Sequence, residues 1–121
     1  MDERTQQIEG LKMGAEYVKK LIPAIGEIVP ELRGDEKEDT GDFLKQIIDG
    51  INFMIEITNA TISILNENET CVDDKKLEET IQALSSAYMG QKNTEVADLL
   101  EGGIVVFLNA FEAAAAKVIE A

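Results

Sequence analysis

Histidine and tryptophan are absent from this chain, and cysteine occurs once, at Cys71. Without histidine the chain lacks the usual general base, the Ser-His and Cys-His nucleophile pairs and the Glu-x-x-His elements of di-iron bundles. One cysteine makes neither an intrachain disulfide nor a thiolate zinc site. No glycine-rich phosphate-binding loop of the G-x-x-x-x-G-K-[ST] type occurs. These absences argue against an enzyme, so we predict no catalytic, cofactor-binding or metal-binding residues.

Basic residues are also scarce, since 11 lysines and arginines face 24 acidic residues and the net charge is −13. Such a charge repels the phosphates of nucleic acids and anionic lipids. The chain has no uninterrupted apolar run of roughly 18 residues, and the N-terminal MDERTQQIEG has no apolar export region. We therefore predict a soluble, cytoplasmic protein that binds neither nucleic acid nor membrane. We interpret the acidic residues as solvated surface in preference to a docking site for a basic partner.

Hydrophobic residues make up 45% of the 121 residues, enough for the core of one domain and too few for two of typical size. Apolar residues recur at steps of three and four in four segments, and short polar loops separate these segments. The predicted helices cover residues 3–33, 42–66, 74–89 and 94–120. We expect an all-α fold with a single domain over residues 1–121, arranged as an antiparallel up-down-up-down four-helix bundle.

The two prolines, Pro23 and Pro30, both fall inside the first predicted helix. Each removes a backbone hydrogen bond from a helix interior. The pattern predicts that the first helix is kinked or broken near Pro23, and it leaves open whether the helix bends there or a short separate helix begins.

Six glycines lie within predicted helices, although each costs about 1 kcal/mol relative to alanine at such a position. They are Gly10, Gly14, Gly26, Gly50, Gly102 and Gly103. We interpret Gly14, Gly50 and Gly103 as points where neighbouring helices approach each other closely.

The second predicted helix carries two apolar stripes, whereas a surface helix of a monomer needs only one. Its principal stripe comprises Leu44, Ile48, Ile51, Ile55, Thr58, Ile62 and Leu65. Its second stripe lies almost opposite and comprises Phe53, Ile57, Ala60 and Ile64. The first and fourth helices show a weaker surplus of the same kind, at Met13 and Tyr17 and at Ile104 and Leu108. These last eight residues form the predicted interface.

The surplus apolar surface leads to two hypotheses about function. The leading one is a non-enzymatic cytoplasmic bundle that self-associates through the second stripes as a two-fold homodimer. The alternative is an adaptor or chaperone-like protein whose second stripe receives an amphipathic helix of another protein. A third class, an enzyme or a carrier of an apolar ligand, is disfavoured because no catalytic centre can be assembled from the sequence.

Two segments carry a resemblance to other proteins. TEVADLLEGGIVVFLNAFE at residues 94–112, together with DFLKQIIDGINFMIEIT at residues 42–58, resembles small acidic helical-bundle proteins of bacteria that have no assigned function. The resemblance rests on helix patterning and on the ADLLE step at residues 97–101. It implies a helical bundle and supplies no catalytic residues.

Overall fold

Four helices form the part of the chain that the structure, a computed structural model, describes: residues 3–67 and 72–120. Helix α1 spans Glu3–Leu32, α2 spans Thr40–Leu65, α3 spans Asp74–Met89 and α4 spans Asn93–Glu120. These described residues contain no strand. The predicted all-α four-helix fold is confirmed, and each helix begins and ends within two residues of its predicted bounds. Cys71 lies outside the described residues.

Helix α4 contains a turn of π-helix at Leu100–Ile104, between α-helical segments at Asn93–Leu99 and Val105–Glu120. The amide of Val105 donates to the carbonyl of Leu100, five residues earlier, so one extra residue is accommodated in this turn. The sequence pattern did not predict this turn, because Leu100 and Ile104 are both buried and keep the helical spacing of the core.

Helix α1 is one continuous helix, although Pro23 and Pro30 lie inside it. Of the two predicted forms, a break with a separate short helix is not found. Both prolines are exposed, and so are Lys19 and Gly26, whose carbonyls lose their helical donors to the prolines. Water can hydrogen-bond those carbonyls, so the helix continues at a reduced cost.

The pairs of contacting residues show that α1 and α2 run in opposite directions. Arg4 near the start of α1 pairs with Glu67 just after α2, at 3.1 Å. At the other end, the hydroxyl of Thr40 donates to the buried carboxylate of Glu31, at 2.7 Å, and accepts from the amide of Lys37. These contacts fix both ends of the α1–α2 pair.

Helix α1 also runs opposite to α4, and Arg33, just after α1, pairs with two carboxylates of α4. The guanidinium of Arg33 lies 2.9 Å from Asp98 and 3.2 Å from Glu101. Hydrogen bonds to Asp98 and then Glu101 raise the pKa of Arg33 above its ordinary value. Toward the other end of α1, Gly14 lies against Phe111 of α4. Helix α1 packs against all three segments of α4. Helix α3 packs mainly on the first half of α4 and makes few close backbone approaches to α2.

The core face of α2 differs from the predicted principal stripe. Eight of the ten buried residues follow steps of three and four and are Thr40, Leu44, Ile47, Ile51, Met54, Thr58, Thr61 and Leu65; the other two are Gly50 and Ile64. Ile48, Ile55 and Ile62, which we assigned to that stripe, are only half-buried. The true core face therefore runs between the two predicted stripes. The two threonine hydroxyls in it are satisfied within the helix, since Thr58 donates to Met54 O and Thr61 to Ile57 O, both at 2.7 Å.

Candidate interaction site

An open groove follows the outer side of the α1–α2 pair. Its wider part, of about 570 Å³, is lined by Met13, Glu16, Tyr17, Lys20, Gln46, Asp49, Gly50 and Phe53. A second depression, of about 280 Å³, continues toward the start of α1 and is lined by Glu3, Gln6, Gln7, Gly10, Ile57, Ala60 and Thr61. Steps of three and four connect the lining residues of both parts on each helix, which places them along one side of the pair. We call both parts together the α1–α2 groove.

Tyr17 closes the floor of this groove by lying across the backbone of α2 at Gly50. A Cβ atom at Gly50 would lie 3.1 Å from Cε1 of Tyr17 and still closer to its hydroxyl. The ring of Tyr17 meets that of Phe53 edge-on, with 5.2 Å between the ring centroids and 70° between the planes. Edge-on pairs of this kind are favourable beyond the area they bury. Gly50 thus leaves room for the ring of Tyr17, and that ring packs on Phe53.

Gly14 brings α1 equally close to its neighbours. A Cβ atom at Gly14 would lie 2.8 Å from Cζ of Phe111 and 3.2 Å from Cγ2 of Ile57. In α4, a Cβ atom at Gly103 would lie 2.6 Å from Cγ2 of Thr80 in α3. The predicted close approaches at Gly14, Gly50 and Gly103 are confirmed.

The structure brings together five of the eight predicted interface residues. Met13, Tyr17, Phe53, Ile57 and Ala60 all line the α1–α2 groove. Met13 is 57% exposed, Ala60 is exposed, and the other three are half-buried. Much of the second stripe of α2 is therefore covered by α1 of the same chain, one of the two possibilities that the sequence leaves open. The signal lay in α1, where Gly14 opens the space that Ile57 of this stripe enters.

The remaining three residues of the predicted interface belong to the core. Ile64 is 4% exposed, and Ile104 and Leu108 are fully buried. Their assignment to a surface is corrected accordingly: α4 is apolar on several sides because α1, α2 and α3 all pack against it. That the five residues in the groove contact another molecule stays a prediction.

The charges around the α1–α2 groove are of both signs. Glu3, Glu16 and Asp49 carry negative charge and Lys20 carries positive charge. Among the described residues, no group of three acidic, histidine or cysteine side chains is placed to hold a metal ion. The groove is thus an apolar strip with a small mixed-charge border, an arrangement suited to contact with another apolar surface.

Helix α4 is, by length and composition, the one helix in the described chain that could cross a membrane. The core helix of a soluble protein satisfies the same criterion, and α4 supplies buried residues such as Leu100, Leu108 and Phe111 to the core. The length and apolarity of α4 therefore do not distinguish the two situations.

The fold and the groove define a helical-bundle domain with an apolar strip along one pair of helices. The chain belongs to the family described as Domain of unknown function (DUF8042), whose model matches residues 9–114. No curated protein and no solved structure matches the chain. Membership of this family agrees with the resemblance to proteins of no assigned function, while the bacterial origin and acidity of those proteins stay predictions.

Proposed function

We propose that this chain is a non-enzymatic, cytoplasmic protein that self-associates as a two-fold homodimer through the α1–α2 groove. One observation carries the proposal: five residues that the sequence assigns to an interface, from two different helices, line two neighbouring depressions on one side of the α1–α2 pair. The side chain of Met13 stands at its border and is 57% exposed. Large apolar side chains exposed beside an apolar groove are a common feature of protein contact surfaces.

A second copy suits this groove because a two-fold interface brings the same surface patch against itself. Each Met13 would enter the groove of the other copy, close to Tyr17 and Phe53. Methionine fills irregular gaps well, and its sulfur gains about 0.3–1.5 kcal/mol beside an aromatic ring. The border offers both charges, so Lys20 of one copy has Glu16 or Asp49 of the other as possible partners.

The net charge of −13 acts against this association, because two copies of the same net charge repel each other. Salt screens that repulsion, since the Debye length falls from about 10 Å at 0.1 M to about 3 Å at 1 M. The dimer is therefore expected to become tighter as the ionic strength rises.

Sedimentation velocity at micromolar protein concentration, on the wild type and two methionine variants, tests the proposal. Met13→Asp places a charge in the groove and should shift the population to monomer. Met89→Asp is the matched control, because Met89 is 81% exposed at the end of α3, away from the groove. It should leave the dimer unchanged.

A monomeric wild type at micromolar concentration would overturn the proposal. Equal dissociation by both variants would show that added charge, and not the groove, decides the oligomeric state. Circular dichroism on each variant should show unchanged helicity, because both side chains are exposed.

The non-enzymatic part of the proposal is supported by the absence of histidine from the sequence. The single cysteine supports a reducing compartment, since disulfides are used mainly in oxidising ones. The alternative is an adaptor or chaperone-like protein that binds an amphipathic helix of another protein through the same second stripe.

A further inference from the structure

Helices α2 and α3 pack less closely against each other than α1 and α2 do. Helix α3 packs mainly on α4 and makes few close backbone approaches to α2. Two cavities, of about 310 Å³ and about 140 Å³, lie one after the other along this seam, and Ile81 lines both of them. We call them together the α2–α3 groove.

The floor of the α2–α3 groove is apolar and only partly covered. Ile48 and Ile55 of α2 and Ile81 and Tyr88 of α3 line it and are half-buried. On α3 the lining runs from Asp74 to Tyr88, which in a helix is about 21 Å. A strip of that length matches about four turns of a helix from another molecule laid along the seam.

The border of the α2–α3 groove carries charge of one sign only. Its ionisable lining residues, tyrosine apart, are Asp74 and Glu78, both exposed, and its other polar lining residues are Asn52, Asn59, Gln82 and Ser85. The α1–α2 groove, by contrast, includes Lys20. A second copy placed on this border would bring carboxylates against carboxylates, whereas lysine or arginine side chains would find partners there.

We infer that the α2–α3 groove binds an amphipathic helix of another protein, with an apolar face for the isoleucines and basic residues along its flanks. The apolar face of that helix covers Ile48, Ile55 and Ile81, and its basic flank pairs with Asp74 and Glu78. The net charge of −13 attracts such a helix from a distance and speeds its association. This inference uses a different face of the bundle from the proposed dimer, so either can fail alone.

A model peptide measures this binding directly on the full chain. The probe is a peptide of about 16 residues, or about 24 Å as a helix, with leucines at heptad a and d positions and lysines elsewhere. Fluorescence anisotropy of the labelled peptide should show saturable binding that weakens with added salt, the opposite of the salt response of the dimer. A scrambled peptide of the same composition should bind at least about tenfold more weakly, because it has no apolar face.

Two matched pairs of variants separate the groove from general charge attraction. Glu78→Lys should weaken binding by about three- to tenfold, whereas Glu79→Lys changes the net charge equally at an exposed residue outside the groove lining and should have little effect. Ile55→Ala should weaken binding by about tenfold through lost apolar contact. Ile57→Ala removes the same atoms in the α1–α2 groove and should not weaken it.

Equal responses within either pair would overturn the inference, and so would equal binding of the scrambled peptide. Loss of peptide binding in Ile57→Ala or in Met13→Asp would place the helix in the α1–α2 groove and refute the α2–α3 assignment. Repeating the titration on Met13→Asp therefore also keeps the result independent of dimer formation.

Discussion

The two seams that α2 makes with its neighbours in the sequence are built in opposite ways. Against α1, the missing Cβ atoms of Gly14 and Gly50 let the helices approach, and Ile57 and Tyr17 respectively occupy the space. Against α3, the facing residues include the branched Ile48, Ile55 and Ile81, and α3 contains no glycine. Small residues thus let α1 and α2 pack closely, whereas the branched residues hold α3 farther from α2.

Filling the space at Gly14 should have the largest effect on this contrast. Gly14→Ala places a methyl group within 3 Å of the ring of Phe111, which is fully buried and has no room to move away. We expect the free energy of unfolding to fall by about 2 kcal/mol, despite the better helix propensity of alanine. Urea denaturation followed by circular dichroism measures this change.

Gly26→Ala is the control for that substitution, since a Cβ atom at Gly26 meets nothing within 4 Å. There the same change should raise the free energy of unfolding by about 1 kcal/mol. A rise in the free energy of unfolding at both glycines would mean that propensity, and not the α1–α4 contact, controls the outcome.

The looser attachment of α3 should appear in amide hydrogen exchange. Helix α3 buries only Leu77, Leu84 and Ala87, whereas α1 has buried residues along most of its length. We expect amides in the middle of α3 to exchange roughly tenfold faster than those in the middle of α1, because a helix with few buried side chains opens at lower cost. Equal protection of the two helices would contradict the comparison between the seams.

Gly50 provides the smallest and most local test. Gly50→Ala should lower the free energy of unfolding by about 1 kcal/mol, less than Gly14→Ala, because Tyr17 borders an open groove and can shift. Adding Tyr17→Phe removes the nearest atom, the hydroxyl. The double variant should therefore be more stable than the sum of the two single changes predicts. Strict additivity in thermal denaturation would show that the hydroxyl does not limit the approach of the helices.

Helix positions could be predicted from the sequence because apolar residues at steps of three and four mark them directly. The central face of α2 could not, because Gly50, Thr58 and Thr61 carry little apolar signal and the flanking isoleucines carry much. The close approaches at Gly14 and Gly50 were predictable from the cost of glycine in a helix. Their partners were not, since the contact between Tyr17 and Phe53 depends on how α1 and α2 are rotated about their axes.

The candidate interface, too, could be predicted from the sequence only in part. An excess of apolar residues predicted that part of the surface would be covered, and five of the eight residues indeed meet in one groove. Whether a given stripe is covered by the same chain depends on the depth to which the neighbouring helix enters. For Ile57 that depth is set by Gly14 on another helix.

The π-helical turn at Leu100–Ile104 has a consequence for how the length of this chain can vary. It holds one residue more than a regular helical turn and absorbs that residue locally. Deleting Gly102, whose position has free space around it, would restore a regular helix without rotating the segment that follows, so Phe107 and Phe111 would stay in the core. A one-residue deletion elsewhere in α4 would rotate the following residues by about 100°. Relatives that fold in the same way should therefore vary in length at this turn far more readily than elsewhere in α4.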